Sequence, residues 1–335
     1  MVVNLRTDLA PRNPRELVLA NPVLVASGTF GYGTEYARAV DIQRLGGIVS
    51  KGTTFRPRKG NAMPRIAETH AGMLNSIGLQ NPGIHETIRK YTPIWERWRT
   101  KVLVNISGEH VDEYAEMARL LDEARGVAGI EVNISCPNVD VGGMQFGVDC
   151  EMAAEVTAAV RASTTLPVLV KLSPNVTDIV AIAEAVVAAG ADAVTLINTL
   201  KGMRIDTRRR QPVLAMGGGG LSGPAVKPVA LWMTAQVAQA VAVPVVGIGG
   251  IGSVEDALEF FMAGASAVQV GTASFVNPHA AIEVLDGIGA WLDAEGLDSL
   301  NAIIGVALPG PMPLRTAGAA PEDEADLLAM LRTDD

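Results

Sequence analysis

The stretch Val168-Leu-Val-Lys-Leu172 and the next apolar run, Ala193-Val-Thr-Leu-Ile197, are separated by a helical pattern near residues 177–189. Short apolar runs joined by a helical segment are typical of parallel strands in a sheet that is covered on both faces. This unit decides the fold class because it recurs along the whole chain.

Eight such runs are predicted as strands, and each is followed by a predicted helix. The strands are predicted at 23–27, 47–51, 102–107, 129–134, 168–172, 193–197, 243–247 and 267–271. The helices are predicted near 34–44, 84–99, 110–125, 150–163, 177–189, 225–241, 254–263 and 279–293. Eight units in 335 residues indicate an α/β fold, a single closed (β/α)8 TIM barrel. A doubly wound open sheet is the alternative, but the glycines of Gly28-Thr-Phe-Gly-Tyr-Gly33 do not match its Gly-x-Gly-x-x-Gly turn.

The predicted domain organisation is one catalytic barrel, residues 1–318, followed by an acidic tail, residues 319–335. Residues 3–20 predict a β-hairpin around Pro11-Arg-Asn-Pro14 that plugs the bottom of the barrel. Long connections follow the carboxyl ends of three strands, at 52–83, 135–149 and 199–223. Because long ordered loops are usually functional, we expect them to build the site.

Composition excludes several classes of protein. A formal net charge of −9 disfavours a general nucleic-acid binder. The two cysteines, Cys136 and Cys150, form no disulfide framework, and the four histidines show no metal-binding spacing. The first residues mix acid and base where a signal peptide is apolar, and no run approaches the ~18 uncharged apolar residues of a membrane span. We therefore expect a cytoplasmic protein without a metal site.

Lysine and asparagine recur where predicted strands end, at Lys51, Asn105, Asn133, Lys171 and Asn198. A barrel brings all strand ends to one rim, and buried polar groups are costly unless they are paired. The cluster therefore predicts a ligand on this rim. Further predicted rim residues are Ser27, Thr199, Gly249, Gly250, Gly271 and Thr272.

The glycine-rich turn Gly247-Ile-Gly-Gly-Ile-Gly252 ends the seventh predicted strand, and Gly271-Thr272 ends the eighth. Barrels often bind a phosphate between these two loops, because glycine lets backbone N–H groups approach it. The phosphate can belong to a sugar phosphate or to FMN. Ser253 is the predicted N-cap of the following helix.

Three residue types suggest the chemistry. Lys51 and Lys171 can form a Schiff base, as in an aldolase, or stabilise an anion, as in a flavin enzyme. Cys136, in Asn133-Ile-Ser-Cys-Pro-Asn138, carries a thiol suited to act as a base, whereas Cys150 is predicted to pack in the core. Asn75, with Asn133 and Asn198, offers amides that match the alternating N–H and C=O groups of a pyrimidine.

These residues lie in motifs that resemble the class 1 dihydroorotate dehydrogenases, and among them the catalytic subunits of class 1B. The matching stretches are Ala26-Ser-Gly-Thr-Phe-Gly31, Leu74-Asn-Ser-Ile-Gly-Leu-Gln-Asn-Pro-Gly83, Asn133-Ile-Ser-Cys-Pro-Asn138, Ile197-Asn-Thr199 and Gly247-Ile-Gly-Gly-Ile-Gly252. The resemblance runs from about residue 4 to 305. Class 2 enzymes have an N-terminal amphipathic segment and a serine base. This chain matches neither feature, so a quinone partner is disfavoured.

The resemblance implies an FMN barrel that oxidises dihydroorotate to orotate. It implies that Cys136 takes the proton from C5 while hydride leaves C6 for flavin N5, and that Lys171 faces the negative edge of the reduced flavin. The residues implied to bind substrate are Lys51, Asn75, Ser76, Ile77, Gly78, Leu79, Asn133, Asn198 and Thr199. The residues implied to bind FMN are Ser27, Lys51, Asn105, Asn133, Lys171, Ile197, Gly223, Gly249, Gly250, Gly271 and Thr272.

The resemblance also implies partners. A homodimeric core would carry a second subunit with FAD and a 2Fe–2S cluster that passes electrons to NAD, in a heterotetramer. The alternatives are a related FMN barrel acting on uracil-type dihydropyrimidines and a class 1A-like enzyme linked to fumarate. A lysine-dependent aldolase barrel and a non-enzymatic flavin-binding module are alternatives of other classes.

Overall fold

Eight parallel strands close into a barrel in the structure, a computed structural model that describes residues 3–135, 137–138 and 144–313. The barrel strands are Val23–Val25, Gly47–Val49, Lys101–Ile106, Gly129–Asn133, Val168–Lys171, Ala193–Leu196, Val245–Ile248 and Ala267–Val270. Each strand pairs in parallel with its neighbours in the chain, and the eighth pairs with the first. The predicted (β/α)8 barrel is confirmed.

The barrel strands are buried because nearly all of their residues are apolar. All four residues of Val168–Lys171 and of Ala193–Leu196 are buried, as a sheet covered on both faces requires. The register places Lys171 beside Asn133 on one side and beside Thr195 on the other. Polar residues of adjacent strands are thereby aligned in one layer across the barrel.

α-Helices follow seven of the eight barrel strands, and the first strand is followed only by a 3-10 helix. The α-helices are α1 Ile84–Trp95, α2 Val111–Asp122, α3 Cys150–Ser163, α4 Ile179–Ala188, α5 Lys227–Ala240, α6 Val254–Met262, the single turn α7 Ala273–Val276, and α8 Ala280–Ala294. Short 3-10 helices lie at Ile42–Arg44, Phe146–Val148, Pro224–Val226 and Leu300–Ala302.

The helix predicted near 34–44 is wrong. Turns fill this segment, and only Ile42–Arg44 is helical, as a 3-10 helix that Asp41 caps at Gln43 N. The Glu35 carboxylate folds back to accept from Tyr32 N at 2.9 Å. Ala37 N and Val40 N donate to the carbonyls four residues earlier, but these bonds do not continue into a helix.

The amino-terminal hairpin closes one end of the barrel. Its strands, Thr7–Asp8 and Val18–Leu19, pair antiparallel. Leu9 and Leu17 of the hairpin belong to one buried cluster with inward-facing barrel residues such as Leu169. The predicted plug is therefore confirmed.

The long connections build a second sheet over the opposite end. The segments 52–83 and 199–223 contribute four antiparallel strands, in the order Leu200–Gly202, Gly219–Ser222, Gly72–Asn75 and Ile66–Thr69. We call this the cap sheet. A small hairpin, Ile205–Asp206 with Gln211–Pro212, extends from the second connection.

The third long connection is only partly described. Strands Pro137–Asn138 and Met144–Gln145 pair antiparallel, and Asp149 caps α3 by accepting from Met152 N at 2.9 Å. The tail predicted at 319–335 lies outside the described residues. Among the described residues, no helix is both long enough and apolar enough to cross a membrane.

Candidate active site

A cavity of about 910 Å³ lies at the carboxyl ends of the barrel strands, beneath the cap sheet. Its volume is near the upper end of the range for small-molecule sites. Barrel enzymes carry their catalytic residues at this end of the strands. The cavity is therefore the candidate active site.

The structure brings together every predicted site residue that it describes. Eighteen predicted residues are among those that line this cavity: Ser27, Lys51, Asn75, Ser76, Ile77, Gly78, Leu79, Asn105, Asn133, Lys171, Ile197, Asn198, Thr199, Gly223, Gly249, Gly250, Gly271 and Thr272. Cys136, the predicted base, lies outside the described residues, although Asn133 and Ser135 of the same motif line the cavity. Cys150 begins α3 and packs against the core, as predicted.

Two polar side chains form the cavity floor together with a buried carboxylate. Lys171 Nζ lies 3.3 Å from Ser27 Oγ and 3.6 Å from Glu131 Oε2. Asn105 Nδ2 donates to the same Glu131 oxygen at 2.6 Å. Asn105 Oδ1 is buried and has no hydrogen-bond partner among the described residues. An unpaired buried acceptor beside a cavity indicates a ligand donor.

Three asparagines along the cavity wall are oriented by hydrogen bonds to neighbouring groups. Asn133 Oδ1 accepts from Asn198 Nδ2 at 3.2 Å, and Asn198 Oδ1 accepts from Thr199 N at 2.8 Å. Asn75, which ends a strand of the cap sheet, donates from Nδ2 to the Gly220 carbonyl at 3.4 Å. The amides are thus held by neighbours and present fixed donors and acceptors to a ligand.

Lys51 is the second lysine of the cavity. Burial lowers the pKa of its ammonium group, the nearby Arg65 guanidinium lowers that pKa further, and Glu35 partly offsets both effects. A partly desolvated cation next to a second cation favours an anionic ligand, because a bound anion compensates both charges.

The turn after the seventh strand has a backbone that glycine makes possible. Gly249 and Gly250 have φ of +129° and +79°. A Cβ atom at Gly249 would lie 2.8 Å from Ala230 Cβ. Ser253 and Asp256 form a capping box at the start of α6, which confirms the predicted N-cap. The turn itself lines the cavity.

These features fit FMN. The half-buried glycine backbone at Gly249 and Gly250 lines the cavity and suits a phosphate, and α5, which follows Gly223 closely, begins without a side-chain cap. Asn105 Oδ1 and Lys171 Nζ offer an acceptor and a cation to a polar ring edge. Among the described residues, no group of three or more His, Cys, Asp or Glu side chains is arranged to hold a metal ion.

Comparison with known proteins gives the family. Residues 13–292 match the family described as dihydroorotate dehydrogenase. The chain belongs to the dihydroorotate dehydrogenase family of oxidoreductases. This confirms the resemblance found in the motifs.

Relatives within the dihydroorotate dehydrogenase family are similar over most of the chain. A protein of Trichlorobacter lovleyi is 58% identical over 294 residues, which are 88% of this chain and 96% of that protein. A protein of Desulforamulus reducens is 56% identical over 292 residues, 87% of this chain and 96% of that protein. A protein of Porphyromonas gingivalis is 52% identical over 291 residues, 87% of this chain and 95% of that protein. All three are named dihydroorotate dehydrogenase B (NAD(+)), catalytic subunit.

The prediction from sequence did not include several residues that lie in or beside this cavity. Ser173 and Asn175 line it directly after the fifth strand, so the rule that polar strand ends face the site would have found them. Arg65 lines it from within a long loop, where nothing in the sequence set it apart from neighbouring arginines. Glu131, which lies behind the cavity floor and outside its lining, also had a sequence signal, because a carboxylate interrupts an otherwise apolar strand.

Proposed function

We propose that this chain is the catalytic subunit of an NAD-linked dihydroorotate dehydrogenase, which oxidises dihydroorotate to orotate with FMN in pyrimidine (UMP) biosynthesis. The observation that carries the proposal is the convergence of two lysines, the asparagine wall and the glycine turn on one cavity. Membership of the dihydroorotate dehydrogenase family supports the substrate. The names of the relatives support the link to NAD.

Cofactor-binding residues are proposed on both sides of the cavity floor. Gly249, Gly250, Gly271 and Thr272 would hold the phosphate, and Gly223 would line the cofactor. Lys171 and Asn105, with Ser27, Lys51, Asn133 and Ile197, would contact the ring system. Bound FMN would supply the acceptor for the hydride that leaves C6 of the substrate.

Substrate-binding residues are proposed on the cap side. Asn75, Asn133, Asn198 and Thr199 would hydrogen-bond the pyrimidine ring, whose N–H and C=O groups need both acceptors and donors. Lys51 would compensate the substrate carboxylate. The turn of Ser76, Ile77, Gly78 and Leu79, with φ of +72° at Gly78 and +51° at Leu79, would close over the substrate and exclude water.

Cys136 is proposed as the base that takes the proton from C5. A thiol with an ordinary pKa of about 8.5 is a thiolate in a few per cent of molecules at neutral pH, and it can accept and release a proton readily. Its neighbour Ser135 lines the cavity, which supports this role. The thiolate would be regenerated by losing the proton to solvent before the next turnover.

A second subunit is part of the proposal. The relatives are named as catalytic subunits, which supports a separate electron-transfer chain. A 2Fe–2S cluster bound by cysteine requires four thiolates, and this chain has two cysteines. We therefore assign FAD and the 2Fe–2S cluster to a partner subunit that delivers electrons to NAD, around a homodimeric core.

The decisive experiment adds dihydroorotate anaerobically to the purified chain loaded with FMN. Loss of the visible flavin absorbance, with formation of one orotate per flavin, is the expected result. Bleaching by dihydrouracil instead would favour the uracil-type alternative, and reoxidation by fumarate would favour the class 1A-like one. A colourless protein that borohydride inactivates in the presence of an aldehyde or ketone substrate would overturn the proposal in favour of an aldolase.

A further inference from the structure

Glu131 is a fully buried carboxylate at the centre of the barrel. It lies on the fourth strand, and both of its oxygens are occupied. Oε1 accepts from Thr195 Oγ1 at 3.1 Å and from Gln269 Nε2 at 2.9 Å. Oε2 faces Asn105 Nδ2 at 2.6 Å and Lys171 Nζ at 3.6 Å. Side chains from five strands therefore meet in one polar layer.

This layer is unusual because the next layer toward the plug is apolar. Leu103, Leu169 and Ala193 lie two residues before Asn105, Lys171 and Thr195 and belong to one buried apolar cluster. Apolar residues of similar volume often stabilise a core at least as well as a buried ion pair does. Core packing alone therefore does not account for the carboxylate.

The Glu131 carboxylate determines which atoms Asn105 and Lys171 turn toward it and which groups they present to the cavity. An ionised carboxylate only accepts hydrogen bonds, so Asn105 turns its amide nitrogen inward and keeps its oxygen free beside Gly52. Among the described residues, Glu131 holds the only carboxylate within 4.0 Å of Lys171 Nζ. One buried anion thus leaves an acceptor and a cation side by side on the cavity floor.

We propose that Glu131 is a positioning residue that orients Lys171 and Asn105 toward the flavin and compensates the charge of Lys171 while the flavin is oxidised and neutral. The inference rests on the proposed FMN site. Glu131 does not line the cavity, yet it would control both the affinity for FMN and the reduction potential of the bound flavin. A ring edge with an N–H donor and a carbonyl that gains negative charge on reduction suits the acceptor and the cation on the floor.

The test compares the wild type with Glu131→Gln, which keeps the size of the side chain. A neutral glutamine can donate to Asn105 Oδ1, so the asparagine is free to turn its amide nitrogen toward the ring. We expect the dissociation constant of FMN for flavin-free protein to rise about tenfold. The midpoint potential of bound FMN should become more positive, because the ammonium of Lys171 then has no anion except the reduced flavin.

Asp192→Asn is the matched control. Asp192 also accepts from a cation, Arg161 Nη1, at 2.8 Å and from a backbone N–H, Val168 N, at 2.8 Å. It precedes the sixth strand at the plugged end of the barrel, away from the cavity. This variant should lower the melting temperature and leave the FMN dissociation constant and the midpoint potential unchanged.

A double variant separates positioning from a direct field effect. Lys171→Met with Glu131→Gln removes the buried pair together, so it should fold even if Glu131→Gln alone does not. We expect the potential to differ less between Lys171→Met and the double variant than between the wild type and Glu131→Gln. If Glu131→Gln does not fold, the test uses FMN affinity: Lys171→Met should bind FMN more tightly than the double variant, in which Asn105 is no longer oriented.

Each outcome decides the inference. Equal potentials and affinities in the wild type and Glu131→Gln, or a more negative potential in the variant, would overturn it. Equal shifts with and without Lys171 would also overturn it, since the carboxylate would then act on the flavin by its own charge. Equal affinity of Lys171→Met and the double variant would overturn the positioning of Asn105. A wild type that binds no FMN would refute the proposed function as well, whereas flavin bleaching by dihydroorotate with unaffected variants would refute only this inference.

Discussion

Two lysines at the same end of the barrel have different surroundings. Lys171 lies 3.6 Å from Glu131, so a buried anion compensates its charge before any ligand binds. Lys51 lies near Arg65, and burial lowers the pKa of its ammonium group. We infer that Lys51 is the more responsive of the two to an anionic substrate, whereas Lys171 is held in place.

The pH dependence of orotate binding tests the role of Lys51. The protonated lysine attracts the orotate carboxylate, and its pKa lies below the ordinary value of 10.5. Lys51 therefore loses its proton at a lower pH than a free lysine does, and the affinity for orotate should begin to fall below pH 10.5. Spectral titration of the bound flavin with orotate measures this, in a Cys136→Ala background so that the thiol does not titrate.

Lys51→Met in the same Cys136→Ala background is the control for this titration. It should bind orotate more weakly at neutral pH and lose the fall in affinity at alkaline pH. An identical pH profile with and without Lys51 would show that another group is responsible.

Replacement of Cys136 tests the base. Cys136→Ala should keep bound FMN but slow flavin reduction by dihydroorotate by about 10²- to 10⁴-fold, the usual contribution of a general base. Anaerobic stopped-flow absorbance measures the rate. Cys150→Ala, which changes a thiol that packs against the core, should reduce at the normal rate. Near-normal reduction in Cys136→Ala would remove the assignment.

Elements, rather than single residues, create the proposed phosphate site. The seventh strand ends at Ile248. The chain then passes through two glycines with positive φ, and the capping box of Ser253 stabilises the start of α6. The cap sheet contacts the neighbouring end of the eighth strand, where Thr272 Oγ1 donates to Ser222 Oγ at 2.8 Å. Strand, turn and helix together hold the backbone in a conformation that side chains with a Cβ atom rarely adopt.

Two glycines of this turn should respond differently to alanine. Gly249→Ala forces a Cβ atom into a positive-φ position and against Ala230, so it should cost about 1–3 kcal/mol of stability and weaken FMN binding. Gly252→Ala meets no atom closer than 3.5 Å and should be tolerated. Thermal unfolding with and without FMN measures both effects. Equal behaviour of the two variants would argue against a strained phosphate turn.

In the whole molecule, the apolar plug and the cavity lie at opposite ends of the barrel. The amino-terminal hairpin fills the plugged end with Leu9, Leu17 and Leu19, while the cavity occupies the other end beneath the cap sheet. The polar layer around Glu131 lies between them. Changes at the plug should therefore affect unfolding without affecting flavin properties.

Truncation of a plug side chain tests this separation. Leu17 is 1% exposed, and Leu17→Ala should lower the free energy of unfolding by about 2–5 kcal/mol through the cavity it leaves. Val306→Ala, at a site that is 61% exposed, should change it by less than about 0.5 kcal/mol. Denaturant unfolding measures stability, and the midpoint potential of FMN should match the wild type in both. A changed potential in Leu17→Ala would show that the two ends are coupled.

The sequence by itself determined the barrel, its plug and eighteen of the residues that line the cavity. Eight apolar strands alternating with helical patterns favour a closed parallel barrel, and a barrel brings every strand end to a single rim. The rim residues could be chosen in advance for this reason, Asn75 was chosen for its amide, and the family resemblance added Ser76, Ile77, Gly78, Leu79, Ile197 and Gly223. The predicted helix near 34–44 was wrong, because turns fill the segment and only isolated helical hydrogen bonds form there.

Only the tertiary structure decided how the polar residues pair. No local pattern shows that two separate loops, 52–83 and 199–223, join in one cap sheet, because strand pairing between distant segments depends on the barrel that holds them. Nor does spacing show that Glu131 meets Asn105, Lys171, Thr195 and Gln269 from four other strands. Hydrogen-bond polarity is set by neighbours in space, and those neighbours exist only once the barrel has closed.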